Sequence, residues 1–541
     1  MFPRKLTRQV ICDIDNPIVE TKAGKLRGVI VEGSYIFRGI KYADSERFKM
    51  PTPVKPWEGV KDAIMYGPVS MEMSTPIAHD AYNVPHFYFP QDENCQYLNV
   101  WTQSINDETK KKPVMVWIHG GGFATGSSVE LYAYDGEELS KFGDVVVVSL
   151  NHRLNCIGFL DLSDYGEEYK YSGNVGMADV IEALRWIREN IAKFGGDPDN
   201  VTIMGQSGGG CKVAALLQMP AADGLFHKAV VQSGIVEQTL DVSPEQAKKF
   251  TSKMLEYLNI TAENIKEIEK VPYFKLARAA QYAQGEITGN PNSRVSWAPV
   301  VDKDYYMGYG VTNGFREETK KIPMLVGTVL AEFTNNFNIE FEKSHKNEWS
   351  AEKKMGLMKE VYGDRAEAIL AAFRKAYPKR NDVDALYVDT TMRRPSKVYA
   401  QERAKSGCAP VYLWSFNLEC PLNGGTAPWH NAEEAYMFHN ACYLEASYIP
   451  GVSEYLQDVM TGAWVAFAYT GDPNHPGMPI WPAVTPDAIP TILFDREVEV
   501  VFNHDDELMA AMPPANAVNT TNRGPRKRSD GILGGGPRQG T

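Results

Sequence analysis

The most constraining feature of this sequence is an apolar run that enters a cluster of glycines without a break. The segment VTIMGQSGGG begins at Val201 and places a predicted strand directly before Gly-Gln-Ser-Gly-Gly at residues 205–209. A helical pattern then runs from Lys212 to Gln218. Only glycine lets neighbouring backbone pass close to a residue in a sharp, strained turn. The segment therefore predicts a strand, a tight turn that exposes Ser207, and a helix.

Short apolar runs and longer helical patterns alternate along much of the chain. The near-continuous hydrophobicity of the short runs indicates strands buried on both faces, as in a mostly parallel sheet. Residues 178–194 carry apolar side chains every three or four positions and stop at Gly195, which predicts a helix. We therefore expect an α/β fold with a large, mostly parallel central sheet flanked by helices. The predicted strands are Val114–Ile118, Asp144–Leu150, Val201–Met204, Ile322–Val326 and Val411–Phe416.

The organisation of the chain favours one α/β domain over residues 1–512. Two mostly helical regions, at about 243–320 and 339–407, interrupt the alternation and are interpreted as insertions that cover one end of the sheet. Residues 513–541 contain Pro, Gly, Asn and Arg with almost no apolar side chain, which predicts a disordered tail.

Charge and cysteine content restrict the partners and the compartment. The 68 acidic residues outnumber the 56 basic ones, and a net charge of −12 disfavours nucleic acid as a partner. No stretch approaches the roughly 18 apolar residues of a membrane helix, and no apolar segment of a secretory signal follows the basic N-terminus. The seven scattered cysteines lack CxxC spacing, which disfavours a disulfide scaffold and a zinc site. These features predict a cytoplasmic protein without a metal or a membrane partner.

A second glycine cluster, His-Gly-Gly-Gly at residues 119–122, follows another predicted strand. Glycines at the end of a buried strand leave N–H groups that can converge on an anion. The N–H groups of Gly121, Gly122 and Gly208 would form an oxyanion hole beside Ser207. A phosphate-binding loop is disfavoured, because neither GxGxxG spacing nor a following Lys-Ser/Thr pair is present. G-x-S-x-G taken alone also arises as a chance glycine-rich turn.

Six ordered blocks make the chain resemble the type-B carboxylesterase/cholinesterase family of α/β-hydrolases from about residue 18 to residue 500. The resemblance implies the α/β-hydrolase fold and a serine esterase that needs no cofactor, most like a bacterial intracellular carboxylesterase. Its substrate would be a small or medium-sized neutral ester. The blocks are ENCQYLNVW at 93–101, VWIHGGGF at 116–123, LNHRLNCIGFL at 150–160, ALRWIRENIAKFGGDPDNVTIMGQSGGG at 183–210, LFHKAVVQSG at 225–234 and TGDPNHPGMPIWP at 470–482.

The resemblance also implies a histidine base for Ser207, since an ordinary hydroxyl needs a base within hydrogen-bond reach. The family places this histidine in an H-x-x-E segment before aromatic residues. His430 in WHNAEEAYMF fits that pattern, with Glu433 as the glutamate. The other histidines that follow Ser207 with room for an acid between are His345, His439, His475 and His504.

The acid that would orient the histidine is marked less plainly. The family has it in a segment like GTNxDEG, and residues 327–333 read GTVLAEF, so the resemblance implies Glu332. Three positions of that segment differ, the last being Phe333 in place of glycine. Ser233 resembles the family's serine that hydrogen-bonds the acid, although an ordinary serine at a strand end is the alternative.

Departures from the family pattern narrow the expected chemistry. Gln206 stands where the family usually has glutamate, which removes a buried negative charge beside Ser207. Cholinesterases have a tryptophan about ten residues before the cysteine equivalent to Cys95. The corresponding segment here contains Phe87, Tyr88 and Phe89 but no tryptophan, so a choline-specific cation–π site is not supported. Two other functions stay open: a lipase, amidase or carbamate hydrolase with the same triad, and a non-catalytic binding protein on the same fold. No pattern indicates an oligomeric state.

Overall fold

The computed structural model describes residues 8–72, 87, 89–236, 241–333 and 345–513. The strands within these ranges are β1 (Val10–Ile11), β2 (Ile18–Glu20), β3 (Lys25–Arg27), β4 (Val29–Val31), β5 (Ser34–Lys41), β6 (Ala43–Asp44), β7 (Thr52–Pro53), β8 (Val60–Asp62), β9 (Tyr97–Thr102), β10 (Lys112–Ile118), β11 (Val146–Leu150), β12 (Gly196–Gln206), β13 (Lys228–Gln232), β14 (Met324–Val329), β15 (Val411–Phe416), β16 (Pro490–Phe494) and β17 (Glu499–Phe502).

The α-helices of the same ranges alternate with the later strands and include several short ones. They are α1 (Glu137–Gly143), α2 (Asn155–Phe159), α3 (Val175–Asn190), α4 (Gly208–Leu216), α5 (Pro244–Leu258), α6 (Tyr273–Thr288), α7 (Gly310–Asn313), α8 (Glu317–Lys320), α9 (Ala351–Tyr362), α10 (Ala366–Ala376), α11 (Arg393–Lys405), α12 (Glu434–Met437), α13 (Val452–Thr470) and α14 (Asp506–Ala511).

A 12-stranded sheet organises the larger part of the molecule. Its strand order is β1-β4-β5-β9-β11-β10-β12-β13-β14-β15-β16-β17. Pairing is parallel from β11 through β16 and antiparallel at both edges. The predicted α/β fold with a large, mostly parallel sheet is therefore confirmed.

Both faces of the sheet are buried, which explains the near-continuous apolar runs. Along β10, Val114 and Val116 belong to one hydrophobic cluster, whereas Met115 and Trp117 belong to another. Successive side chains of a strand point to opposite faces, so the two clusters lie on opposite sides of the sheet. Helix α3 contributes to the first cluster, and α13 contributes to the second.

The predicted strands and the helix predicted over 178–194 are present, most of them with different boundaries. The strand predicted at Val411–Phe416 is β15 itself, and the helix predicted over 178–194 is α3 followed by a 3-10 turn that ends before Gly195. Gly195 has a φ of 76°, the left-handed conformation that ends helices. The strand predicted from Asp144 begins only at Val146, because Asp144 itself is left-handed and closes α1.

The described chain divides into two compact units. Of the described residues, the larger unit contains those from 8 to 347 together with 387–504, and the smaller contains 348–386 together with 505–513. The single-domain interpretation over 1–512 stays a prediction. Apart from Pro513, the predicted disordered tail lies outside the described residues, and so does the start of the predicted 339–407 insertion. None of the described helices has the length and apolarity needed to cross a membrane.

Candidate active site

The sequence-predicted site residues follow neighbouring strands of the sheet. The glycine loop 120–122 follows β10, Ser207 follows β12, Ser233 follows β13 and Glu332 follows β14, while His430 lies in the segment after β15. These five strands are adjacent in that order and run parallel. The carboxyl ends of parallel strands share one edge of a sheet, and ligands bind there in open α/β sheets.

Ser207 occupies the turn between β12 and α4 with a strained backbone. Its φ is 56° and its ψ is −127°, a combination that ordinary residues rarely adopt. The Ser207 N–H donates to the carbonyl of Gln232 at 2.8 Å, and the Ser207 carbonyl accepts from the N–H of Cys211 at 2.9 Å. The turn is thus fixed on one side by the neighbouring strand and on the other by the first turn of α4.

The glycines around Ser207 are required because backbone passes against backbone here. A Cβ added to Gly209 would lie 1.9 Å from the carbonyl oxygen of Ile118, and one added to Gly208 would lie 2.2 Å from that of Gly122. Helix α4 consequently begins at Gly208, and the prediction that helical structure starts at Lys212 was wrong. Close packing against β10 outweighs the poor helix propensity of three glycines.

The predicted oxyanion donors lie beside this turn. Gly121 and Gly122 have φ values of 82° and 67°, so their N–H groups follow a left-handed path. Gly208 packs directly on Gly122, as its close approach shows. In the part of the chain that the structure describes, the N–H groups of Gly121, Gly122 and Gly208 donate no hydrogen bond to protein. These donors can therefore be used by a ligand oxygen.

Glu332 and His430 form a buried carboxylate–imidazole pair. Glu332 Oε2 lies 2.5 Å from His430 Nδ1. The other oxygen, Oε1, accepts from the Ser233 hydroxyl at 2.6 Å and from the Val329 N–H at 3.0 Å. Glu332 is completely buried and His430 is 3% exposed. The hydrogen bonds to Oε1 leave Oε2 directed at the ring, which fixes the tautomer with its proton on Nδ1.

The second ring nitrogen of His430 faces the residue before Ser207. Gln206 Nε2 lies 3.2 Å from His430 Nε2. Because Nδ1 donates to Glu332, a neutral ring has a lone pair at Nε2, and the Gln206 amide donates to it. Among the described residues, Ser207 Oγ has no hydrogen bond to the ring. The structure thus brings Glu332, His430, Ser233 and Gln206 into contact and places Ser207 next to Gln206.

Burial determines the protonation of the pair. It lowers the pKa of His430 to about 4, against the opposing effect of the Glu433 and Asp389 carboxylates. Burial also raises the pKa of Glu332, Asp389 adds to that effect, and the hydrogen bonds accepted by the carboxylate oppose it. The imidazole is therefore neutral near pH 7, which is the form that accepts a proton.

Glu433 lies in the same buried region without a hydrogen bond to His430. Its Oε1 accepts from Gln232 Nε2 at 3.1 Å, and its Oε2 has no hydrogen-bond partner among the described residues. Burial and the charge of Glu332 raise the pKa of Glu433 to about 7. Glu433 therefore acts on the Glu332–His430 pair through its charge and not through a hydrogen bond.

The contact between Phe333 and His430 was not predicted from the sequence, which showed only that Phe333 stands where the family segment ends in glycine. The ring of Phe333 lies on His430, with ring centroids 4.0 Å apart and planes at 36°.

Two rival histidines have partners elsewhere: His439 Nε2 is 2.7 Å from Asp458, and His475 Nε2 is 2.9 Å from the Val459 carbonyl. Within the described ranges, no cluster of three or more His, Cys, Asp or Glu side chains is arranged to hold a metal.

Comparison with known proteins identifies the family. Residues 15–510 match the sequence model of the Carboxylesterase family. The para-nitrobenzyl esterase of Bacillus subtilis (strain 168) is 32% identical over 513 residues, which cover 92% of this chain and 99% of that protein. The chain belongs to the carboxylesterase family. The family inferred from the sequence blocks is therefore confirmed, and the chain is a carboxylic ester hydrolase that acts on small-molecule esters.

Two further relatives show how the family's members differ. The phenmedipham hydrolase of Pseudarthrobacter oxydans is 31% identical over 488 residues, or 88% of this chain and 94% of that protein. The solved structure of an esterase from anaerobic Clostridium hathewayi, which can hydrolyse aliphatic aromatic polyesters, superposes with a TM-score of 0.87. It is 43% identical and covers 93% of this chain and 99% of that one.

Proposed function

We propose that this carboxylesterase cleaves esters through an acyl-enzyme on Ser207, with His430 as base, Glu332 as orienting acid and an oxyanion hole of Gly121, Gly122 and Gly208. The observation that carries the proposal is the buried Glu332–His430 pair, whose second nitrogen, Nε2, contacts Gln206, the residue directly before Ser207 in the strained turn. A serine hydroxyl keeps its proton at neutral pH, so its reaction needs a neutral base at this position.

In the first half of the reaction, Ser207 Oγ attacks the ester carbonyl and His430 Nε2 takes the hydroxyl proton. For this step, the Gln206 amide must give up the lone pair of Nε2, because the same nitrogen receives the proton. The Gly121, Gly122 and Gly208 N–H groups bind the oxygen that becomes negative. Glu332 stabilises the imidazolium, which then protonates the departing alcohol.

In the second half, water attacks the acyl-enzyme while His430 takes its proton, and Ser207 leaves with the proton returned. The same oxyanion donors serve both halves, because both pass through a tetrahedral intermediate. The whole cycle transfers only protons and an acyl group, and the side chains and backbone N–H groups named here account for each of these transfers. The four hydrogen bonds on Glu332 and its partners keep the imidazole in one orientation throughout.

A second candidate substrate class follows from the comparisons. The Clostridium hathewayi esterase can hydrolyse aliphatic aromatic polyesters, and the identity of 43% extends over 93% of this chain. We infer that ester bonds of such a polymer are candidate substrates here as well. Release of soluble monoesters from a suspended film, compared with turnover of a dissolved p-nitrophenyl ester, separates this capacity from hydrolysis of small esters alone.

Covalent labelling with a fluorophosphonate tests the proposed nucleophile. The probe should add once to the folded protein, and peptide mapping should locate it on Ser207. Ser207→Ala should not react, whereas the matched variant Ser149→Ala, on β11, should react as the wild type does. A folded wild-type protein without an adduct on Ser207 would instead favour a binding protein on the same fold.

A further inference from the structure

Phe333 is unusual among the residues around the buried pair because much of it faces solvent. Its side chain is 51% exposed, whereas its neighbours Glu332 and His430 are 0% and 3% exposed. The Phe333 ring nevertheless contacts the imidazole, with centroids 4.0 Å apart and an interplanar angle of 36°. One part of the ring thus packs on His430, and the other is available to a bound molecule.

The position of Phe333 relative to His430 is fixed by the backbone. The Ala331 N–H donates to the Pro428 carbonyl at 3.2 Å, and the His430 N–H donates to the Glu332 carbonyl at 3.2 Å. These bonds form a short parallel bridge between the segment of the acid and the segment of the histidine. Phe333 directly follows this bridge, so the ring is held in place beside the imidazole.

The reaction determines which part of the substrate meets this ring. His430 Nε2 must reach the oxygen of the departing alcohol within about 2.6–3.2 Å to protonate it. The carbon groups attached to that oxygen therefore lie next to the imidazole and its neighbours. The acyl part is attached to the carbonyl carbon, whose oxygen is directed towards the glycine donors instead. A substrate group that meets the exposed part of Phe333 would therefore belong to the alcohol part of the ester.

We propose that Phe333 forms the floor of a leaving-group subsite that favours esters of aromatic alcohols. Aromatic rings attract one another beyond their simple burial when their centroids are about 4.5–7 Å apart. A benzyl or aryl group on the departing oxygen would come within that distance of the Phe333 ring, because this ring is in contact with the base. This inference rests on the proposed roles of Ser207 and His430, and it makes Phe333 a specificity residue without a part in proton transfer.

A simpler role for Phe333 is that of a cover that keeps water from His430. Loss of a cover would slow every ester by a similar factor and would raise the pH at which activity declines, since burial is the main cause of the low His430 pKa. Loss of a leaving-group subsite would slow esters of aromatic alcohols selectively and would leave the pH profile in place. The two roles therefore predict different results for the same substitution.

The test compares benzyl acetate with cyclohexylmethyl acetate in wild type, Phe333→Leu and Phe333→Tyr. Both esters form the same acetyl-enzyme, and their alcohols are similar in size. Phe333→Leu should lower kcat/KM for benzyl acetate about 3- to 10-fold and change that for cyclohexylmethyl acetate less than twofold. Phe333→Tyr, which keeps the ring, should restore the wild-type ratio. Phe502→Leu, at a 60% exposed phenylalanine of β17, is the matched control and should change neither.

The outcomes separate this inference from the proposed function. If Phe333→Leu lowers kcat/KM equally for both esters and moves the acid limb of the pH profile upward, Phe333 is a cover and the subsite is overturned. If the ratio of the two kcat/KM values is unchanged without such a shift, the subsite is overturned as well. In either case, fluorophosphonate labelling of Ser207 would still proceed. Wild-type protein that neither hydrolyses these acetates nor labels would contradict the proposed function itself.

Discussion

Two turns at the carboxyl edge of the sheet share a left-handed backbone but are maintained in different ways. Ser207 has a φ of 56° and Glu332 has a φ of 39°. The Ser207 turn is surrounded by glycines that pack against backbone atoms of β10 and the glycine loop. The Glu332 turn is held by side-chain and backbone hydrogen bonds to Ser233, Val329 and the segment of His430.

This difference explains why one turn carries a clear sequence signature and the other does not. Where backbone passes so close that a Cβ would overlap it, only glycine fits, so the Ser207 turn must keep its glycines. Hydrogen bonds from other parts of the chain place no such demand on the residues next to Glu332. That segment can therefore have the bulky side chain of Phe333 directly after Glu332.

The largest expected effect comes from placing a methyl group in the Ser207 turn. Gly209→Ala would bring Cβ to 1.9 Å from the Ile118 carbonyl oxygen, so α4 and β10 must separate. We expect a loss of more than about 4 kcal/mol in the free energy of unfolding, or no folded protein. Urea unfolding and soluble yield measure it.

The matched control is the same substitution where space is open. Gly356 lies inside α9 with no atom within 4 Å of an added Cβ. Gly356→Ala should raise the free energy of unfolding by about 0.5–1 kcal/mol, because alanine is the better helix former. Equal effects at the two glycines would show that the Ser207 turn does not depend on close backbone packing.

Removing the charge of the acid should impair catalysis and leave the fold intact. Glu332→Gln keeps the shape of the side chain but not the negative charge that stabilises the imidazolium, and kcat should fall about 10⁴-fold. Steady-state kinetics together with urea unfolding provide the measurement. Glu433→Gln, a buried carboxyl without a hydrogen bond to His430, should lower kcat less than about tenfold. Near wild-type turnover in Glu332→Gln would mean that another carboxyl serves His430.

A smaller loss should follow when one support of the acid is removed. Ser233→Ala deletes the hydroxyl that donates to Glu332 Oε1 at 2.6 Å. A hydrogen bond to a charged group is worth about 1.5–3 kcal/mol, so kcat/KM should fall roughly 10- to 100-fold. Ser149→Ala, on β11, is the control and should keep full activity. Full activity in Ser233→Ala would show that the remaining contacts hold Glu332 by themselves.

Substitutions of Gln206 should change the rate least and the pH dependence of kcat/KM most. His430 acts as a base when neutral, so kcat/KM should decline as pH falls through its pKa of about 4 and stay level above it. Gln206→Glu would place a negative charge beside Nε2, which favours imidazolium and moves the decline to higher pH.

Gln206→Met provides the comparison, because it removes the amide donor without adding charge. The amide donor stabilises the neutral imidazole, so its loss should raise the pKa of His430. The rise, and with it the upward shift of the acid limb, should be smaller than in Gln206→Glu. The pH profile of kcat/KM, restricted to the range in which the circular dichroism of each variant is unchanged, gives the measurement. An acid limb that stays in place or moves downward in Gln206→Glu would contradict the contact.

The sequence predicted the parts of the molecule that depend on local pattern. The apolar run of β15 and the spacing of α3 gave the correct elements, because each reflects burial that recurs along one element. The start of α4 was missed, since three glycines look unlike a helix until their packing against β10 is known. The Phe333–His430 and Gln206–His430 contacts join segments about 100 and 220 residues apart, respectively, in sequence, and no local pattern encodes such a juxtaposition.

At Ser207, stability of the fold and the proposed catalytic activity make opposite demands on one residue, because its backbone is left-handed. A side chain in that conformation destabilises the folded state by about 1–3 kcal/mol, and glycine would relieve most of it. Selection for thermal stability alone would thus favour glycine at this position, whereas the proposed role of Ser207 as nucleophile requires the hydroxyl. Efforts to make this protein hardier are best directed away from position 207, at sites where strain serves no purpose.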